Sequence, residues 1–390
     1  MQCVSNRRFA PLALAITAIA LGACASKASP EPKTTATAPA APPLTEAQAA
    51  ARFAVGPQCR ADQRSLAAAP AQGMYHSAMP SLLHNDADSE GKAAADVHGF
   101  QRLAKRRLAW VYFSDNWFEG ISFPSAAVEA IRKQGAMPFI RLMPRSSWED
   151  RAADARYPLD RIARGDFDAD LRRWAHAARD TRLPMLLDFA PEMNGNWFPW
   201  SGMYNGGERS GPQTYRAAYR HVINLFRSQG ADNVGFAFHA NWRSDPRADW
   251  NDIAAYYPGD DYIDWLGVSA YGSVEPGPWE PLDRALDEVY PQLSALSPSK
   301  PIALLETGVV EEPGKSKASW IRSGYAALRA GRYPRVKAVS WWQERWRDQN
   351  GGPDRDTRVN SSSSSAAAYR RAVASRRFIS RPSYTCVPKG

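Results

Sequence analysis

Beyond about residue 70 the hydrophobic pattern alternates between two periods. Short unbroken apolar runs fall at 73–76, 108–113, 137–142, 185–189, 234–238, 265–268, 302–305 and 336–342. Runs that are apolar on both faces suit parallel strands covered by helices, whereas half-exposed strands would alternate. Between the runs the period lengthens. In "DFDADLRRWAHAARD", Phe167, Leu171, Trp174, Ala175 and Ala178 share one helical face. In "GPQTYRAAYRHVINLFRSQG", Pro212 is the expected opening, Tyr215, Tyr219, Val222 and Phe226 the stripe, and Gly230 the close. "PLDRALDEVYPQL", "SWIRSGYAALRAG" and "SAAAYRRAVASRRF" continue the alternation. This α/β pattern predicts a (β/α)8 TIM barrel, a single domain over 61–390. An open doubly wound sheet is the rival, and no glycine-rich phosphate turn follows the first strand to support it.

The start of the chain reads differently. Arg7 and Arg8 precede "PLALAITAIALGA", long enough for an export signal and short for a membrane span. The run ends in "LGAC", which resembles a bacterial lipobox, so the expectation is a signal over 1–23 and a lipidated Cys24 holding the protein to a membrane. A plain secretory peptide is the alternative. Residues 25–50 are rich in Ala, Pro and Thr and too poor in large apolar side chains to offset ordering entropy, so 24–60 reads as anchor and linker. The expected location is the bacterial cell envelope, facing periplasm or exterior. With Cys3 in the signal and Cys24 lipidated, Cys59 and Cys386 remain, and in an oxidising compartment they can form a disulfide joining the domain's two ends. Two separate thiols are the alternative.

The formal charge of +9 becomes +7 once Arg7 and Arg8 leave with the signal. Cations are interspersed with acids, which argues against nucleic-acid binding and leaves a mild preference for acidic polymers or an anionic surface. The expected form is a monomer.

In a barrel of this type function sits just past the strand C-termini. Trp117, Trp148, Trp197, Trp200, Trp242, Trp279, Trp341, Trp342 and Trp346 all follow or end expected strands, whereas Trp110, Trp174, Trp265 and Trp320 read as core. Flat rings around a cleft suit the C–H faces of sugars, so the expected partner is a polysaccharide. Glu192 follows the fourth strand and Glu306 the seventh, so both project into one mouth. Glycoside hydrolysis needs such a pair, and a separation of roughly 5 to 5.5 Å makes it retaining. The charge on Glu306 is expected to raise the pKa of Glu192 and keep it protonated.

Here a resemblance becomes specific. "PEMNGNWFPW" looks like the acid/base segment of glycoside hydrolase family 26, whose members typically show His-Glu-Met-Asn-Gly before an aromatic cluster. "LLETG" resembles that family's nucleophile segment, "WLGVSAYG" its sixth strand and "AVSWWQERW" its eighth. The resemblance implies Glu192 as acid/base, Glu306 as nucleophile, Tyr271 as the nucleophile's hydrogen-bond partner, and Trp197 and Trp342 as sugar platforms. Asn194, Trp200 and Trp242 complete the expected substrate contacts. Implied substrates are β-linked glycans, chiefly mannans, with mixed-linkage β-glucan or β-1,3-xylan in some members. Four positions depart from the pattern: Pro191 stands where His is usual, Asp188 where mannanases often have Arg, Ser269 where Asp is frequent, and Gln343 where Arg is common.

The resulting expectation is a retaining, endo-acting hydrolase of β-linked polysaccharide that needs no cofactor or metal. Two others stand beside it: a non-catalytic polysaccharide-binding or assembly lipoprotein on the same barrel, and a hydrolase of bacterial exopolysaccharide. "GVSAY" lacks the second glycine of a nucleophile elbow around Ser269, and the six histidines show no metal spacing. His239, at the end of the fifth strand, is the one that could line the cleft. "RDQNGGPDRDT" offers oxygen ligands at a spacing that fits no EF-hand.

Overall fold

The structure, a computed structural model, describes residues 57–81, 90–148, 151–274, 279–346 and 354–389. The expected signal, Cys24 and nearly all of the linker lie outside the described residues, as does most of the 347–357 loop.

The strands are Met74–Met79, Trp110–Asn116, Met137–Met143, Met185–Phe189, Val234–Asn241, Trp265–Tyr271, Ile302–Gly308 and Val336–Trp342. Each runs parallel to the next, and the first pairs with the eighth from Tyr75↔Ala338 to Met79↔Trp342, which closes the barrel. The expected (β/α)8 arrangement is therefore present. Several strands run past their apolar runs because the polar residues there are still laddered: Ser114, Asp115 and Asn116 oppose Arg141, Leu142 and Met143. These polar strand ends form the mouth. The first strand starts at Met74 rather than Gly73, because Gly73 turns the chain at φ +74 against the Arg377 carbonyl, where a Cβ would collide.

Helices Asp168–Thr181, Gly207–Ser228, Leu282–Leu296, Lys317–Ala330 and Ser363–Val373 cover the sheet with the faces anticipated from their spacing. One boundary differs. Pro212 lies inside its helix, which begins at Gly207. Its missing N–H forgoes one ladder bond near the helix start, and the neighbouring Gly211 lets the helix press on the Gly202 carbonyl.

Aromatic rings fill the barrel's lower half. Trp110 meets Tyr75 and Trp265 edge-on at 5.4 Å each. Below them a two-stranded ribbon, Gln63–Ala68 antiparallel to Ser383–Pro388, crosses the strands' N-terminal ends. Ser65 N–H donates to the Asp232 carbonyl, the Trp265 indole donates to Ala67, and the buried Arg64 pairs with Asp264 at 3.0 Å. A Cys59–Cys386 disulfide, spanning 327 residues of sequence, fastens this floor. Joining the chain's ends over so long a loop restricts the unfolded ensemble strongly, a contribution of up to about 5 kcal/mol. Cys59→Ala/Cys386→Ala should therefore lower the denaturant midpoint well below that of the oxidised parent. An unchanged midpoint would mean that the ribbon holds the floor unaided.

Candidate active site

Glu306 reaches the mouth through a break in register. Val268 opposes Leu304, but the next residue, Ser269, opposes Glu306, so Leu305 is an extra residue. A bulge re-aims the side chain beyond it. Gly267 makes room for the displaced Leu305, since a Cβ there would strike its side chain.

Glu192 gets there through backbone strain. Ala190 and Glu192 both occupy the left-handed region, at φ +50 and +57, on either side of Pro191. Such residues cost about 1–3 kcal/mol each and persist only where their surroundings enforce them. Here the Ala190 N–H donates to Leu142, the Glu192 N–H to His239 at 2.8 Å, and the Trp200 indole to the Pro191 carbonyl at 2.7 Å. Gly195 then lets Trp197 fold back over the turn, because a Cβ there would enter the indole ring. The folded-back Trp197 donates its N–H to Glu192 Oε2 at 2.7 Å.

The two glutamates face each other. One oxygen of each and a ring nitrogen of His239 lie within 4.8 Å of one another, and all three residues are buried. Glu306 receives the Tyr271 hydroxyl on Oε2 at 2.8 Å and has Arg141 Nε 3.2 Å from Oε1. Arg141, 2% exposed, also donates to Ser114 and lies 5.0 Å from the Trp342 ring centroid. Burial alone would lower its pKa; Glu306, Tyr112, Asp188 and Glu192 outweigh burial and leave it raised. Burial, then the charge of Glu306, lifts Tyr271 well above its ordinary range, so its proton stays on to donate.

Glu306 holds its proton to higher pH than an ordinary carboxyl. Burial pushes that carboxyl up to about 7; Arg141 opposes this, Glu192 adds to it, and His239 and Tyr271 oppose it. Glu306 sits in the strand itself and is buried.

Beneath the pair lies a chain of buried polar groups. Asp188 Oδ2 accepts from the Tyr112 hydroxyl at 2.6 Å and lies 2.7 Å from His239 Nδ1. His239 Nε2 is 2.8 Å from the Ser269 hydroxyl. Both ring nitrogens of His239 are thus already engaged by Asp188 and Ser269. Asp188 and Ser269, two of the departures from the family pattern, meet at His239. Pro191 precedes the Glu192 amide that His239 accepts from, which brings a third to the same residue.

The structure separates the expected sugar contacts into two groups. Trp197, Trp242 and Tyr271 are half-buried, and Trp342 packs edge-on to Tyr271 at 6.5 Å beside Arg141. Asn194 and Trp200 are corrections. Asn194 is fully buried, with its side chain bonded to the Asn241 backbone and to Ser244, tying the fourth and fifth loops together. Trp200 is buried under the turn, stacked on Phe198 at 4.5 Å. Trp117 and Trp341, expected at the rim, are also core residues. Gln343 spends its amide on Asn360 and the Val359 N–H, so it holds the loop after the eighth strand.

Arg141 and Tyr112 were not anticipated. A signal for Arg141 exists, since "MPFIRLM" puts a cation inside an apolar run, and a fully buried charge needs a partner. Tyr112 leaves none, because tyrosine is ordinary in a strand.

The Glu306 shift links to stability. With a folded pKa of about 7 against an ordinary 4.5, the native state holds an extra proton between those values. Stability from this group is fully present below about 4.5 and is lost as pH rises through 7, about 3 kcal/mol in all. Loss of the Arg141 partner costs the Glu306→Gln variant stability, but its stability relative to the parent should be more favourable at pH 8 than at pH 4, by about 3 kcal/mol. Denaturant melts at both pH values test this; an equal difference at the two would exclude titration of Glu306 as the cause.

Known proteins resemble this chain. The sequence model of glycosyl hydrolase family 26 matches residues 161–332, a span holding Glu192, Tyr271 and Glu306. Endoglucanase H of Acetivibrio thermocellus is 30% identical over 281 residues, 71% of this chain and 29% of that protein. A mannan endo-1,4-beta-mannosidase of Bacillus subtilis is 27% identical over 166 residues, 42% of this chain and 40% of that one. The chain thus spans well under half the length of these relatives. Among solved structures, an endo-beta-1,4-mannanase of Cellulomonas fimi superposes with a TM-score of 0.57 at 18% identity, covering 79% of this chain and 72% of that one. The catalytic domain of a Bacillus sp. endo-beta-1,4-mannanase gives 0.55 at 16% identity, covering 80% and 95%. At such identities these two speak for the barrel fold alone. Over residues 161–332, which carry both glutamates and Tyr271, the chain is thus similar to glycosyl hydrolase family 26.

Proposed function

We propose that this protein is a retaining, endo-acting glycoside hydrolase of β-linked polysaccharide, with Glu306 as nucleophile and Glu192 as acid and then base. The observation that carries this is the carboxylate separation: oxygens of Glu192 and Glu306 lie within 4.8 Å. Inverting enzymes hold their carboxyls about 6.5–9.5 Å apart to admit a water, and retaining ones about 5–5.5 Å. The gap here suits direct attack.

In the first step a Glu306 oxygen bonds to the anomeric carbon as the bond to the leaving sugar breaks. Glu192 gives its proton to the leaving oxygen. In the second, the Glu192 carboxylate takes a proton from water, whose oxygen attacks the same carbon and frees Glu306. Two inversions give net retention. Arg141 and Tyr271 favour the Glu306 carboxylate both before attack and as it leaves, and Trp197 fixes the Glu192 rotamer through its N–H bond. The half-buried Trp197 and Trp242 supply flat surface for sugar rings. The relatives' names, an endoglucanase and mannosidases, support β-glucan and β-mannan as the substrates to try. An intact acid pair, with Glu192 held in a strained turn, argues against a barrel that only binds glycan.

The lipobox-like "LGAC" supports a second part of the reading, a mature protein anchored to the cell envelope through lipid on Cys24.

Glu306→Ala and Glu192→Gln should each lower kcat by at least about three orders of magnitude on mixed-linkage β-glucan or mannan, with melting behaviour showing intact folds. Proton NMR of early products from the parent should show the β-anomer first. Near-normal turnover by either variant, or initial release of the α-anomer, would sink the assignment.

A further inference from the structure

The barrel's far end carries a charge pattern that hydrolysis does not use. Residues 102–107, "RLAKRR", and 370–381, "RRAVASRRFISR", hold nine cations and no acid between them. They are one surface. Arg370 donates to the Leu103 carbonyl at 2.7 Å, Arg106 donates to Phe378, and Phe100 packs on Tyr369 at 5.9 Å. Both segments sit at the strands' N-terminal ends. Residues 102–107 lead into the strand that begins at Trp110, Met74 N–H at the start of the first strand donates to Arg377, and Phe378 ladders with Met74.

Arg102, Lys105, Arg107, Arg371, Arg376 and Arg377 are exposed. Among the described residues none of these six joins an ion pair. Cations in a helix's last turn complement its dipole, which accounts for Arg102 and Arg371. It does not account for Lys105, Arg107, Arg376 and Arg377, which lie past the ends of Glu90–Ala104 and Ser363–Val373. Asp96, on the first of these helices, acts on Glu344, beyond the eighth strand, at the opposite end of the barrel.

The chain also enters the domain at this end. Cys59 is bonded to Cys386, and Gln63–Ala68 lies across the barrel floor. From these placements we infer that the basic face is a docking surface for an anionic membrane. It would hold the barrel floor-down on the bilayer, with the mouth and its two glutamates turned outward to polymer. The inference extends the lipid-anchor reading, but its chemistry is separate: phosphate headgroups would be met by clustered cations, each adding attraction within a Debye length.

The test uses the full chain carrying Cys24→Ala, which has no lipid site, so that the patch and the anchor are judged apart. This protein should co-sediment at low salt with vesicles containing phosphatidylglycerol, and at least about tenfold less with pure phosphatidylcholine or in high salt. Arg102→Glu/Lys105→Glu/Arg377→Glu should cut anionic-vesicle binding by a similar factor while leaving hydrolysis of soluble β-glucan unchanged. Lys105→Glu alone, at an exposed turn, should give a smaller loss in the same direction and serves should the triple variant misfold. Equal binding to both vesicle types, binding indifferent to these reversals, or binding only to an acidic polysaccharide such as alginate would overturn the inference. Absence of hydrolysis by the parent would instead count against the enzymatic reading and leave the vesicle result standing.

Discussion

Holding two carboxylates within 5 Å of each other, away from water, is the constraint around which the mouth of this barrel is arranged. Like charges at that distance in a dry site repel strongly, and burial penalises each further. Arg141 is the answer to both. It is buried in the third strand, which is where a guanidinium can reach Glu306 on the seventh strand across the barrel. Its remaining contacts, Ser114 on one side and the Trp342 and Tyr112 rings on the other, fix its position. Removing one partner of such a buried pair typically costs about 3–5 kcal/mol, because the other is left uncompensated. Site geometry and barrel stability are therefore coupled at this pair.

The two glutamates are delivered by different means, and the difference matters for chemistry. Glu306 is part of a laddered strand and moves only with the sheet. Glu192 stands in a strained turn whose backbone is bound by Leu142, His239 and Trp200. In the proposed mechanism the nucleophile needs fixed position, whereas the acid that later serves as base must swap proton partners between two steps. The Asp188, His239 and Ser269 chain lies beneath both and contacts the turn through the His239 carbonyl. Asp188 and Ser269, two of the positions at which the chain leaves the family pattern, both bond His239.

Much of this could be read from residues alone. Unbroken apolar runs located the strands, because a strand covered on both faces has no reason to alternate. The glutamates were legible because acids directly after such runs are expensive unless used. The tryptophans were less so: Trp117, Trp200 and Trp341 sit where loops fold back over the sheet, and whether an indole after a strand points to solvent or under its own loop depends on that fold-back, which no local pattern encodes. Asn194 misled for the same reason, since an amide suits a sugar hydroxyl and a neighbouring backbone equally well. Arg141 was visible as a cation in an apolar run, but its partner is on the opposite side of the closed sheet, a relation only barrel closure creates.

A parallel barrel makes its two ends chemically unequal. Every strand C-terminus opens on one face, so loops there can converge on a substrate, and this face collects the glutamates and half-buried aromatics. Every covering helix ends on the other face, where last-turn cations favour the helix dipoles. A positive floor is thus partly inherent in the architecture. The ribbon and disulfide bring both ends of the domain to that same floor. An attachment made through the chain's start then leaves the mouth unobstructed, whereas entry at the strand C-termini would set the anchor in competition with the polymer for the same face.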